Sequence, residues 1–153
     1  MENADDPWID AMWRAADLTR AYLARDRVAA CIAGLDIDRL EGVLVWLILD
    51  HDALFDELGE PSMGMSEADA LAALAPAEVE FATTTALRRV VKKETGLARA
   101  VEGLALLDQI HTVAICTAAM LLEAHGRARA LEHLDGKTAE YNRMGHLRPY
   151  AIT

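Results

Sequence analysis

Asp36-Ile-Asp-Arg-Leu-Glu-Gly-Val-Leu-Val-Trp-Leu-Ile-Leu-Asp-His-Asp-Ala-Leu-Phe-Asp-Glu-Leu-Gly59 is the stretch on which the fold turns. Asp36 can cap free backbone N–H groups, and Gly59 opens a loop, so a helix is expected from Ile37 to about Leu58. Its centre, Val43 to Leu49, is apolar on every face, which predicts a central helix surrounded by others. A buried strand over Val43–Leu49 is the rival reading. It lacks turn signals on either side and sits between helix-favouring flanks.

Upstream, Asp6 followed by Pro7 marks a helix start that runs to about Ala24, with an apolar stripe of Trp8, Met12, Ala15 or Ala16, Thr19, Tyr22 and Leu23. Arg14, Asp17, Arg20 and Arg25 fall on its other faces. Asp26 can cap a short second helix carrying Val28, Cys31 and Ile32, ended by Gly34. Trp8 and Trp13 are five positions apart and do not share one narrow stripe, which leaves one of them to reach a partner surface.

Downstream, Gly59-Glu-Pro-Ser-Met-Gly64 is the clearest loop. Ser66 with Asp69 resembles a capping box and begins a short helix reaching Ala75; Pro76 opens another that ends near Thr95-Gly96. Leu97 to about Leu134 reads as one long helix, with a bend or break at Gly126. The expected organisation is one helical domain over residues 1–136 and an extended or partly ordered tail over 137–153. An all-α bundle of five or six helices is therefore predicted, centred on the helices around Trp46 and Ile110.

The composition agrees with that reading. The chain has 153 residues, 53% hydrophobic and 26% charged, a globular balance in a length that suits one core. Aromatics are 5%, so the core must be built from small and aliphatic side chains of high helix propensity. Cys31 and Cys116 sit in apolar contexts and read as free buried thiols. The acidic amino terminus lacks the order of a secretory signal, and the apolar run Ala98–Leu122 is interrupted by Arg99, Glu102, Asp108, Gln109 and His111. A cytoplasmic protein with no membrane span is expected.

Charge is divided along the chain: residues 1–80 carry 18 acids and 5 bases, residues 81–153 carry 7 acids and 10 bases. The two parts complement each other, which favours contact within a monomer or head-to-tail association. The total of −10 argues against nonspecific nucleic-acid binding.

Three constellations could carry function. Asp50, His51, Asp52 and Asp56 crowd acids near a helix carboxyl end, where the helix dipole disfavours them, so a cation or a docking surface is one reading and a solvated acidic rim the other. Asp108 and His111 have the i, i+3 spacing of a metal-binding bundle helix, and a cleft gathering Asp50, His51, Asp52, Asp108 and His111 would hold a small molecule or a divalent metal, as a binding protein or an enzyme does. No second carboxylate-x-x-His element accompanies that pair. Residues 66–96 could form a helix-turn-helix with Arg88, Arg89, Lys92 and Lys93 as its basic patch, though these bases lie at the wrong end of a recognition helix and also compensate the dipole. No nucleophile elbow, phosphate loop or dinucleotide fingerprint is present, and no catalytic residue stands out. The leading expectation is a non-enzymatic interaction or regulatory module without a cofactor, forming a homodimer or binding a protein partner.

Overall fold

The computed structural model describes residues 6–59 and 61–151. The first five residues, Glu60 of the loop and the last two residues of the tail lie outside them, so the readings made there are not addressed. Among the described residues the chain is an all-α bundle of seven helices with no strand. They are α1 (Pro7–Ala24), α2 (Ile37–Leu58), α3 (Met65–Ala72), α4 (Ala77–Val91), α5 (Leu97–Val101), α6 (Leu106–His125) and α7 (Arg127–Arg143).

Capping sets the early boundaries. The Asp6 carboxylate accepts from the backbone N–H of Trp8 at 2.9 Å and of Ile9 at 3.4 Å, and Asp36 accepts from that of Arg39 at 2.9 Å. Each satisfies donors that the first turn leaves free. Gly59, at φ 68°, ends α2 in the left-handed region. The segment after Asp26 forms only a three-residue 3-10 turn, Ala29–Cys31.

The expected helix from Leu97 to Leu134 is three helices, which raises the count from five or six to seven. Gly103 at φ 82° separates α5 from α6, and Gly126 at φ 77° separates α6 from α7; both conformations suit glycine and break a helix. At the other end α7 runs on to Arg143 through Gly136, so the tail begins seven residues later than expected. Gly136 costs helix propensity but meets no neighbour, and packing of Leu134 and Tyr141 on either side holds the helix.

α6 is the central element. Every residue from Ile110 to Leu121 is buried, and the helix packs against all six others. It is also long and apolar enough, by composition, to cross a membrane; in the bundle most of it is enclosed by protein. Ala114, Ala118 and Ala119 let neighbouring helices approach closely. The hydroxyls of Thr112 and Thr117 donate to the carbonyls of Asp108 (2.7 Å) and Val113 (3.0 Å), satisfying polar groups that burial would otherwise penalise.

The helix around Trp46 is not surrounded. α2 packs substantially only on α1 and α6, burying Val43, Leu47, His51 and Leu54. Gly42 allows the α1–α2 approach: a Cβ there would stand 3.2 Å from that of Ala11. The opposite side of α2 faces out, with Val45 44% exposed, Ile48 39% and Leu49 50%.

Candidate functional site

The cleft expected from Asp50, His51, Asp52, Asp108 and His111 does not assemble. Asp50 turns toward α7, where Lys137 Nζ lies 2.6 Å from its carboxylate, and burial pushes its pKa up while Lys137 opposes. The His51 ring is buried, stacks on Phe55 and has Nδ1 3.0 Å from Asp52. Asp52 and Asp56 point outward. A cleft of about 400 Å³ does lie beside Asp50, lined also by Ala53, Leu54, Glu57, His133 and Lys137, and neither Asp108 nor His111 borders it.

His111 instead points into the core, its Nδ1 2.6 Å from the Tyr22 hydroxyl. Burial drives its pKa down to about 4, with Glu78 pulling the other way, so the imidazole is neutral. Burial raises Tyr22 well above the ordinary phenol range and keeps it protonated. The hydroxyl donating to a neutral ring nitrogen satisfies both groups. Asp108 lies in the first turn of α6, its pKa raised by burial against a backbone hydrogen bond at Ala105. Among the described residues no group of three or more His, Cys, Asp or Glu side chains converges on a metal site.

A polar network joins α1 to the tail. Asp17 is buried and accepts from Arg148 Nε and Nη2 at 3.0 and 2.9 Å and from the Tyr150 hydroxyl. The Arg148 guanidinium covers Trp13 at 4.6 Å, Arg14 covers Tyr150 at 3.9 Å, and Trp13 Nε1 donates to the His146 carbonyl at 2.6 Å. Arg14 also reaches Asp10, a second buried acid, at 2.8 Å. Such forked, charge-assisted contacts fix geometry as well as charge. A cleft of about 310 Å³ opens beside Asp17 and Cys31, with Arg20, Arg27, Arg148 and Asp135 on its walls.

Both thiols are free and buried, in surroundings that favour the protonated form. Burial pushes Cys31 up to about 12, Asp17 adding and Arg14 and Arg148 opposing, and burial alone pushes Cys116 up to about 12. Asp10, Asp17, Arg148 and Tyr150 were not singled out by sequence reasoning. The i, i+4 pair of Asp10 and Arg14 was a legible signal; the partners of Asp17, 131 and 133 positions away, left none.

Residues 66–96 do form two helices around a turn at Ala73–Pro76, with α3 packed on α4. Glu78 and Glu80 occupy the first turn of α4, where a recognition helix would meet nucleic acid, and Arg88 pairs with Asp69 of α3 at 3.3 Å. Arg89, Lys92 and Lys93 are exposed.

The remaining distinctive surface is the outer side of α2. Val45, Ile48 and Leu49 form an apolar strip with Asp38 and Glu41 before it and Asp52 and Asp56 after it, all exposed. Trp8, 49% exposed, leans against Trp46 with ring centroids 4.8 Å apart and planes tilted by 46°, adding exposed apolar area on α1. Compared with known families, curated proteins and solved structures, the chain matches no family model, no curated protein and no solved structure.

Proposed function

We propose that this chain is a non-enzymatic helical interaction module that self-associates through the outer side of α2. The observation that supports this reading is the Val45, Ile48 and Leu49 strip: a helix apolar all round belongs inside, and here one side of it meets water. A clustered apolar strip rimmed by charge is the usual composition of a docking surface, whereas single exposed apolar residues are ordinary. Covering the exposed part of these three side chains and Trp8 is worth roughly 3–5 kcal/mol before the cost of association.

The test is sedimentation velocity across a wide concentration range on the wild type and Val45→Glu. The wild type should associate, and the variant should remain a monomer with unchanged far-UV circular dichroism. A wild type that stays monomeric at every concentration rejects self-association.

A further inference from the structure

We infer that the outer side of α2 is covered by the outer side of α4 from a second copy of this chain, an inference that rests on the self-association proposed above. On α2, Val45, Leu49, Asp52 and Asp56 follow one another at i, i+4, i+7 and i+11, which places them along one helix face. On α4 and its carboxyl cap, Phe81, Thr85, Arg88 and Lys92 have the same spacing, and all four are exposed. Phe81, at 85%, is the most exposed large apolar side chain among the described residues.

Laid side by side in the same direction, the two rows match in kind at each step. Phe81 and the Thr85 methyl meet Val45 and Leu49, while Arg88 and Lys92 meet Asp52 and Asp56 about 10 Å further along, at the 1.5 Å rise per residue of an α-helix. The charges are open to such a contact. Among the described residues Asp56 and Lys92 make no ion pair, Asp52 pairs with His51 alone, and the pair of Arg88 with Asp69 is half exposed. Glu78, one turn before Phe81, falls level with Gly42 and next to the exposed Glu41, a like-charge neighbour that the pairs of Arg88 and Lys92 with Asp52 and Asp56 oppose.

Two further features select this occupant. Pairing of two α2 faces would set Asp38, Glu41, Asp52 and Asp56 against acids of the other copy in either direction, and like charges across an interface oppose docking. Within one protomer α2 and α4 pack on α6 and share no substantial contact, so the matched rows can meet only between molecules. The contact joins two different surfaces, and it either occurs twice in a two-fold dimer or once per step in a chain of molecules.

The test mixes two single variants, Leu49→Glu on α2 and Phe81→Glu on α4, both at exposed positions, with circular dichroism and melting temperature confirming that each is folded. Each variant alone should be monomeric by native mass spectrometry. An equimolar mixture should form a 1:1 heterodimer, because it restores one intact contact, and raising salt from about 0.05 to 0.5 M should weaken that heterodimer at least several-fold. If Phe81→Glu still self-associates while Leu49→Glu does not, the α2 face pairs with something other than α4; self-association then stands and this inference falls. Two monomeric variants that form no heterodimer also overturn it, and a monomeric wild type overturns both readings.

Discussion

α2 and α6 teach different things about the same kind of sequence. Val43–Leu49 holds seven consecutive apolar residues, yet α2 leaves one side in water. Ile110–Leu121 contains a histidine, a cysteine and two threonines, yet every residue is buried. The difference lies in satisfaction and size rather than in hydropathy. The polar groups of α6 are answered locally or by Tyr22, and its alanines let six neighbours approach. Bulky Leu, Ile and Trp side chains on α2 provide apolar area without creating a place for a third helix.

The sharpest way to break this comparison is to truncate one isoleucine in each helix. Ile115→Ala, fully buried on α6, should cost about 2–5 kcal/mol in denaturant unfolding. Loss of less than about 1 kcal/mol there would mean that α6 is not the centre.

The buried histidine gives the next largest effect. The unfolded chain takes up a proton on this side chain near 6.5, the folded protein only near 4, so stability is full above that window and falls as pH drops through it. The loss should approach 3 kcal/mol between pH 6.5 and 4, and His111→Gln should remove most of that slope in urea titrations at several pH values. Asp50, whose pKa is raised by burial, titrates in the opposite sense at the acidic end and trims the net change there.

Within α2 the two sides should separate cleanly. Gly42→Leu on the inner side drives a side chain into Ala11 and should cost about 1–3 kcal/mol, a drop of several degrees in melting temperature. Ile48→Ala on the outer side should cost the monomer about 0.5 kcal/mol, with its main effect on association measured by sedimentation.

Much of the fold was legible. The spans of α1 and α2 follow from Asp6, Pro7, Asp36 and Gly59, because caps are local physics and leave local signatures. The break at Gly126 was also visible. Gly103 was not, since a single glycine inside an apolar run does not disclose a left-handed conformation. The candidate site was less legible. Spacing put Asp108 and His111 on one face of a helix, but not what that face meets: the imidazole found Tyr22, 89 positions away. The acids of Asp50 to Asp56 were read as either a site or a solvated rim; Asp50 pairs inward with Lys137, while Asp52 and Asp56 remain at the surface. The tail was read as extended or partly ordered because residues 136–153 show no sustained period; α7 takes up its first part, and the acid that Arg148 and Tyr150 meet lies far away on α1.

That contact between α1 and the tail also sets an order in time. Asp17 is made long before its partner: 131 residues separate it from Arg148, on the order of ten seconds of synthesis at about 5–20 residues per second. Until then α1 carries a carboxylate without the Arg148 guanidinium that receives it, and burying that acid unpaired costs stability. The burial of Asp17 on α1 is therefore answered only once Arg148 and Tyr150, 131 and 133 positions further along, have been made.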